Sequence, residues 1–144
     1  MCHTYGTPSL FSNPLNILIH DFGDSALYLH DNQYWRGYCL LVSKHHVREL
    51  FELTRGQLND LVQALAASEQ AIWKACKPDK MNVKSVGNVI SHLHWHIQPR
   101  YWDSPEGLKA MTNAEAPKQP LSLAEATELA NAIALELHSL DQIC

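Results

Sequence analysis

The chain has 144 residues, of which 46% are hydrophobic and 18% are charged, and its formal net charge is −4 at pH 7. This length suits one domain, and the composition is that of a globular protein rather than a disordered one. Lysine and arginine are scattered without forming a basic stripe, which argues against nucleic acid as a partner but allows a small anionic ligand.

Three strands are predicted in the first third of the chain. Apolar-rich runs at Leu15–Asp21 and Ser25–Asp31 flank Phe22-Gly23-Asp24, an arrangement typical of two strands joined by a turn. After a polar interruption, Tyr38–Val42 has the sequence YCLLV and predicts a buried third strand.

A long helix is predicted next. Thr54 and Gln57 fit a capping box, and Leu53 with Leu58 fits the hydrophobic staple that often surrounds one. Pro78 is expected to end the helix, because the residue before a proline disfavours helical angles. The following apolar residues recur at helical spacing: Leu58, Leu61, Val62, Leu65, Ile72, Trp73 and Cys76.

Two more strands are predicted at Met81–Val86 and Val89–Arg100, joined through Gly87-Asn88. The proline-bearing residues 102–120 indicate a loop. Ser122 with Glu125 then fits the cap of a last helix that ends near Leu140.

This order of elements, with hairpin-linked strands, predicts an α+β fold: a mainly antiparallel five-stranded sheet with a long helix and a C-terminal helix. We expect residues 1–144 to form a single domain. Its core would span about residues 15–102, and residues 103–144 would form a C-terminal loop and helix.

The most informative stretch is SHLHWHIQPR, which contains His92, His94 and His96. Side chains alternate between the two faces of a strand, so a strand here would place the three imidazoles and Gln98 on one face. The intervening Leu93, Trp95 and Ile97 would face a core. No packing requirement explains three histidines side by side.

Two chemical interpretations compete for this pattern, whereas isolated histidines such as His20, His30, His45 and His138 are more often structural. Histidines two apart on a strand can share a zinc ion, but positions four apart lie ~13 Å from each other, and no HExxH partner is visible. The other interpretation is covalent. The middle imidazole can attack phosphorus if a hydrogen bond holds its other nitrogen. Flanking imidazoles, with a reference pKa near ~6.5, can donate to phosphoryl oxygens when protonated.

The segment His92–Gln98, followed by Pro99-Arg100, resembles the histidine triad (HIT) signature His-φ-His-φ-His-φ-φ, where φ is hydrophobic. Gln98 is its one polar departure. Further matches occur in family order at Asp31, Gly37–Val42, Lys44-x-His46, Asn82 and Gly87-Asn88. The resemblance covers about Asp21–Arg100 and is greatest to bacterial members that carry HLHWH and are similar to diadenosine tetraphosphate hydrolases.

The resemblance implies a role for each matching position. His94 would form a nucleotidyl-histidine intermediate, His96 would bind phosphate oxygens, and His92 would support His94 through its carbonyl and side chain. The implied substrate-binding residues are Asp31 at the ribose, Asn82 and Asn88 at the phosphate or leaving group, and Gln98. Asp31 beside Asn32 could also form an ordinary turn, Asn82 could cap a strand end, and Asn88 beside Gly87 could form a hairpin turn.

Some positions depart from the family pattern. Many members have histidine where this chain has Tyr38, and Val89 replaces a hydroxyl residue, so we expect fewer hydrogen-bond donors to the phosphate. Zinc-carrying members combine an N-terminal CxxC with histidines matching His46 and His92. Here only Cys2, followed by His3, remains of the CxxC, which argues against a structural zinc.

The resemblance implies a HIT homodimer that acts as a nucleotide hydrolase or transferase and releases a nucleoside monophosphate. The substrate could be a dinucleoside polyphosphate, a nucleotide phosphoramidate or a nucleotide sugar. No cofactor is expected to be required, although Mg²⁺ could bind through a polyphosphate. A non-catalytic nucleotide-binding module and a metal-dependent hydrolase stay open as alternatives.

The sequence also predicts a compartment and a dimer surface. The start MCHTYGTPSL does not resemble a signal peptide, and no apolar stretch approaches the ~20 residues of a membrane span. The four cysteines, Cys2, Cys39, Cys76 and Cys144, form no CxxC pair, which favours reduced thiols in a cytoplasm. We expect the dimer interface to include the long helix, whose apolar stripe is flanked by Ala64, Ala67, Ala71 and Ala75.

Overall fold

The computed structural model describes residues 16–105, 107 and 117–141. Its five strands are β1 (Ile17–Asp21), β2 (Ser25–Leu29), β3 (Cys39–Ser43), β4 (Lys80–Lys84) and β5 (His94–Arg100). Its two α-helices are α1 (Arg55–Cys76) and α2 (Leu123–Asp141), and a short 3-10 helix, Leu50–Glu52, precedes α1. The predicted α+β fold is confirmed. Leu15, Cys2, His3 and Cys144 lie outside the described residues.

The five strands form one antiparallel sheet in the order β1-β2-β3-β5-β4. One row of facing residues runs across it from Tyr28 through Leu40 and His96 to Lys84. Directly opposed residues of neighbouring antiparallel strands share a face of the sheet, so these four side chains lie on one side. The histidine-bearing strand β5 is therefore internal, held by β3 on one edge and β4 on the other.

Both helices begin with the capping boxes that the sequence predicted. At α1 the Thr54 N–H donates to Gln57 Oε1 over 2.9 Å, and the Gln57 N–H donates to Thr54 Oγ1 over 3.3 Å. Ser122 and Glu125 make the same reciprocal pair before α2. These bonds satisfy backbone donors that a helix start otherwise leaves unpaired. At its other end, α1 stops at Lys77, which has φ 50° and precedes Pro78.

The main core lies between the helices and one face of the sheet. The strands contribute Leu27, Leu29, Cys39, Leu41, Met81 and Ile97, and the helices contribute Leu61, Ala64, Ala71, Ile72, Leu129, Ala130, Ile133 and Leu137. A smaller cluster on the opposite face contains Tyr38, Leu40 and Val42, with Tyr28 and Trp35 packed against it. This second face, which carries the histidines, is not covered by either helix.

The boundary predicted for the histidine strand was wrong. Strand β5 begins at His94 rather than Val89, and residues 85–93 form an irregular connection. Two backbone hydrogen bonds keep Leu93 out of the regular strand: the Leu93 N–H donates to the Val47 carbonyl, and the Ser43 N–H donates to the Leu93 carbonyl. The Ser85 hydroxyl also donates to the His94 carbonyl oxygen over 2.8 Å. His92 therefore precedes the strand, and the three imidazoles do not form one row on a regular strand face.

The apolar stripe predicted on α1 divides into two parts. Leu61 and Ile72 are buried against the sheet, whereas Leu58, Val62 and Trp73 remain 36%, 54% and 45% exposed. A single protomer thus leaves part of the stripe in contact with water. Neither helix in the described part of the chain has the length and hydropathy needed to cross a bilayer.

Candidate active site

His94 and His96 project from β5 on the sheet face that the helices leave open. Their partners across the ladder are Val42 and Leu40 of β3, both of which belong to the small cluster on that face. His94 is only 4% exposed. Strand alternation holds both imidazoles on this face while Ile97 enters the main core.

The hydrogen bonds of His94 fix its tautomer. Its Nδ1 lies 2.7 Å from the carbonyl oxygen of His92. A carbonyl can only accept, so Nδ1 carries the proton and Nε2 keeps its lone pair. The irregular backbone at His92 thus orients the ring so that its unprotonated Nε2 is directed toward His96, and a nucleophile requires such an unprotonated nitrogen.

His96 connects His94 to Tyr38. Its Nε2 lies 3.1 Å from His94 Nε2, and its Nδ1 lies 2.6 Å from the Tyr38 hydroxyl. Because His94 Nε2 is unprotonated, the proton between the two rings belongs to His96 Nε2. His96 Nδ1 is then the acceptor, and the Tyr38 O–H donates to it. The Gln98 amide lies near the Tyr38 hydroxyl and acts to lower the pKa of Tyr38, although burial raises it more.

His96 is neutral at physiological pH. Burial, reinforced by the neighbouring His94, Lys84 and His30, lowers the pKa of His96 to about 3. In the substrate-free site this flanking imidazole therefore lacks the second proton, and its donation to a phosphoryl oxygen in the protonated form stays a prediction. His96 can still donate, because its neutral tautomer carries a hydrogen on Nε2.

The low pKa of His96 predicts that stability falls in acid. Between about pH 6.5 and pH 3 the unfolded chain binds a proton at His96 that the folded chain does not bind, so stability decreases as pH falls through this window. At pH 5 the loss from His96 is about 2 kcal/mol relative to pH 7. Urea unfolding at both pH values should show His96→Asn losing less stability than the wild type. An equal loss in the two proteins would contradict a buried neutral His96.

The side chain of His92 points away from the other two imidazoles. Its Nε2 lies 2.6 Å from the carbonyl of Ser43, and its ring centroid is 6.1 Å from that of His46. The carbonyl of His92 contacts His94 Nδ1, and the supporting role that the family resemblance implies for it stays a prediction. The imidazole instead ties the connection before β5 to the end of β3.

Asp31 lies beside His30 at the end of β2. The Asp31 carboxylate is 3.0 Å from His30 Nδ1, and its backbone N–H donates to Asn16 Oδ1. It lines a cavity of ≈ 20 Å³ whose other walls are Ile17, His30, Gln33, Pro120, Leu121, Leu123 and Ala126. That volume holds about one water molecule, so the cavity is a crevice rather than a preformed nucleoside pocket.

Asn82 and Gln98 face each other across β4 and β5. Asn82 Oδ1 accepts from Arg100 Nη1 over 3.3 Å, and its amide donates to the Met81 carbonyl. Asn82 lies within β4, so it does not cap a strand end. Gln98 is 3% exposed, and its amide contacts the Tyr38 hydroxyl. Their direct contact with a substrate stays a prediction.

Asn88 and Val89 lie on the connection between β4 and β5. Asn88 lines an open groove of ≈ 420 Å³ together with Arg48, Glu49, Phe51, Glu52, Gly87 and Ser91. The connection spans residues 85–93, so Gly87-Asn88 is part of a wide loop rather than a tight hairpin turn. Val89 is 96% exposed and offers no side-chain donor to a ligand.

Sequence reasoning missed two neighbours of the histidines. Lys84 is the β4 residue opposite His96, a pairing that depends on the register between β4 and β5. Tyr38 was treated as the loss of a donor, yet its hydroxyl reaches His96. No local signal predicts that contact, because the two residues are 58 positions apart.

The donor set for a structural metal is incomplete in the part of the chain that the structure describes. His46 and His92 are neighbours, but no group of three or more His, Cys, Asp or Glu residues is placed to hold an ion there. Cys2 and His3 lie outside the described residues.

Most of the described chain, including the histidine site, is similar to known proteins. Residues 13–103 match the family described as the HIT domain. An uncharacterised HIT-like protein of Saccharolobus solfataricus is 30% identical over 78 residues, which is 51% of this chain. The matched stretch spans only 56% of that curated relative.

Histidine triad proteins from two other organisms are among the solved structures that share the fold. A histidine triad protein from Bradyrhizobium japonicum has a TM-score of 0.81 and 20% identity, covering 90% of this chain and 96% of the other. A protein from Sulfolobus tokodaii, described as a hypothetical histidine triad nucleotide-binding protein, has a TM-score of 0.69 and 19% identity, covering 87% and 85%. Identities this low indicate a common architecture rather than a common substrate.

Proposed function

This chain belongs to the HIT domain family, and from that premise we propose that it is a nucleotide hydrolase or transferase in which His94 attacks a nucleotide α-phosphate. The observation that carries the proposal is the tautomer of His94. Its Nδ1–H is held by the His92 carbonyl over 2.7 Å, which leaves Nε2 unprotonated, as attack on an electrophile requires.

In the first step, the Nε2 lone pair forms a bond to the α-phosphorus. The phosphorus–oxygen or phosphorus–nitrogen bond to the leaving group breaks, and the leaving group takes its electron pair. The His94 ring is then positively charged, because Nδ1 retains its proton. The His92 carbonyl stabilises that charge through the same hydrogen bond.

In the second step, water or another acceptor attacks the phosphorus of the nucleotidyl-histidine. The nitrogen–phosphorus bond breaks, and its electron pair returns to His94 Nε2. The attacking hydroxyl releases its proton to the solvent. With water as acceptor, the product is a nucleoside monophosphate.

Other residues would hold the substrate around this centre. His96 and Lys84 lie side by side across β4 and β5, so both can approach the phosphoryl oxygens. Asp31 would bind ribose hydroxyls at the rim of the crevice that it lines. Asn82 and Asn88 would contact the phosphate chain or the leaving group, and Mg²⁺ could accompany a polyphosphate.

A non-catalytic nucleotide-binding module is the second candidate. It is favoured by Val89, which is 96% exposed where many family members carry a hydroxyl that helps to hold the phosphate. Such a module would bind a nucleotide at the same face without forming or breaking a phosphorus bond.

Product analysis with a substrate panel separates these functions. The protein would be incubated with a dinucleoside polyphosphate, an adenosine phosphoramidate and a nucleotide sugar, with and without exhaustive chelation of metals. We expect at least one substrate to release a nucleoside monophosphate. If the phosphoramidate is turned over, chelation should leave its rate unchanged, because it has no polyphosphate through which Mg²⁺ could bind. Binding without release would support the module. Activity that is lost on chelation and restored by stoichiometric Zn²⁺ would support a metal-dependent hydrolase.

We also propose that the protein forms a homodimer through α1. Its exposed Leu58 and Val62 are one helical turn apart, and Trp73 continues the same apolar face. Light scattering should show twice the chain mass of 16.3 kDa, with a melting midpoint that depends on protein concentration.

A charge on this face should disrupt the dimer. Val62→Glu is expected to shift the scattering mass toward one chain, because the carboxylate would be buried without a partner. Gln63→Glu adds the same charge at a neighbouring exposed position outside the stripe and should leave the mass unchanged. A wild-type mass of one chain across the micromolar range would exclude the dimer.

We further propose that the protein resides in the cytoplasm. Cys39 and Cys76 are both free thiols in the structure, and Cys39 is buried. Unpaired cysteines are typical of proteins from reducing compartments.

A further inference from the structure

We propose that Tyr38 is a positioning residue that sets the tautomer of His96, so that the hydrogen on His96 faces the phosphate rather than the protein interior. The inference rests on the proposed function for its catalytic consequence, but the tautomer itself can be measured without any substrate. Many family members have histidine at the position of Tyr38. In this chain the Tyr38 hydroxyl would donate to His96 instead.

The contacts form a chain with one direction. The Tyr38 O–H donates to His96 Nδ1 over 2.6 Å. His96 Nε2–H then donates to His94 Nε2 over 3.1 Å, and His94 Nδ1–H donates to the His92 carbonyl over 2.7 Å. The His92 carbonyl only accepts, so it favours this direction from one end of the chain, and the Tyr38 O–H favours the same direction from the other end.

Tyr38 is held firmly enough to act in this way. Its side chain is buried, and its ring stacks on His30 with centroids 4.1 Å apart and an interplanar angle of 11°. Trp35 contacts the ring edge-on at 6.0 Å. Gln33 supports the backbone, because its amide donates to the Tyr38 carbonyl and its Oε1 accepts from the Gly37 N–H.

The hydroxyl keeps its proton at physiological pH. Burial raises the pKa of Tyr38 to about 12. A phenol that stays protonated can satisfy its contact with the unprotonated His96 Nδ1 only by donating to it. Tyr38 therefore acts as a hydrogen-bond donor to Nδ1 rather than as an exchangeable base.

Substrate binding would use the tautomer that Tyr38 selects. When the α-phosphate enters, a phosphoryl oxygen would replace His94 Nε2 as the acceptor of the His96 Nε2–H, which frees the His94 lone pair for attack. In the other tautomer, His96 would present a lone pair to a negatively charged oxygen and repel it. Because Tyr38 selects the productive tautomer before the substrate binds, His96 does not have to change tautomer during the reaction.

Nitrogen-15 NMR of the histidine rings tests the proposal directly. In the wild type we expect His96 to be protonated on Nε2 and unprotonated on Nδ1. Tyr38→Phe keeps the ring and removes only the hydroxyl, so it should shift His96 toward a mixture of tautomers. Tyr101→Phe is the matched control: it removes the hydroxyl that donates to the Arg36 carbonyl and should leave the His96 spectrum unchanged.

Kinetics then measure the catalytic consequence. Tyr38→Phe should slow single-turnover nucleotide transfer to His94 by about 10-fold, with a larger effect on kcat than on KM, because the correct tautomer remains partly populated. A wild-type His96 protonated on Nδ1, or a spectrum unaffected by Tyr38→Phe, would overturn the proposal. A tautomer shift with an unchanged transfer rate would overturn its catalytic part. If no substrate is turned over, the proposed function fails while the NMR result still decides the tautomer.

Discussion

His94→Ala is expected to lower nucleoside monophosphate release by at least about 10⁴-fold, the scale on which removal of a catalytic nucleophile acts. The neighbouring imidazoles cannot take over the attack. The His96 nitrogen nearest His94 carries a hydrogen and therefore has no lone pair for attack. The His92 ring is hydrogen-bonded to the Ser43 carbonyl. The comparison is made by single-turnover and steady-state assays on the substrate that the panel identifies.

The controls separate chemistry from folding. Truncating His94 leaves the His92 carbonyl without its donor, at a cost of about 1–3 kcal/mol, so the fold of the variant needs to be checked by circular dichroism. His94→Gln retains a donor without the nucleophile and should be equally inactive. His138→Ala, on the exposed face of α2, should keep wild-type activity. Substantial turnover by folded His94→Gln would contradict nucleophilic catalysis at this position.

Gly37→Ala is expected to destabilise the protein by about 2–5 kcal/mol. Gly37 has φ 92°, and an added Cβ would lie 2.7 Å from Cys76 Sγ and 3.2 Å from both Ile72 Cγ2 and Pro99 Cγ. The backbone conformation costs a residue with a side chain roughly 1–2 kcal/mol, and overpacking adds about 1–3 kcal/mol. The effect should also reach the catalytic face, because Gly37 precedes Tyr38.

Gly23 provides a control with the same backbone angle. Its φ is also 92°, but nothing lies within 4 Å of an added Cβ. Urea unfolding should therefore show Gly23→Ala losing only about 1–2 kcal/mol, the conformational part of the cost. Equal losses in the two variants would mean that the α1–β5 contact around Gly37 is looser than the structure describes.

The sequence predicted the helices and most strands because their signals are local. Capping at Thr54 and Ser122 and the break at Pro78 each act within a few residues, and all three lie where the structure has a helix boundary. The alternation of apolar and polar residues placed His94 and His96 on one face of the sheet and Ile97 in the core, as observed.

The features that the sequence did not predict depend on distant contacts. The start of β5 is set by the bond from the Leu93 N–H to the Val47 carbonyl, which a strand pattern cannot show. The hydrogen bond between the Tyr38 hydroxyl and His96 Nδ1 depends on the pairing of β3 with β5. The neutral state of His96 follows mainly from burial, which alternation alone does not quantify.

The most direct test of the account is the mass of the intact protein during a rapidly quenched reaction with an adenylated substrate, followed by peptide mapping under conditions that preserve acid-labile adducts. We predict that the protein gains one nucleotidyl group, attached to His94, that forms and decays at rates compatible with turnover. A nucleotidyl group on His92 or His96, or release of nucleoside monophosphate with no adduct at any time point, would contradict the account.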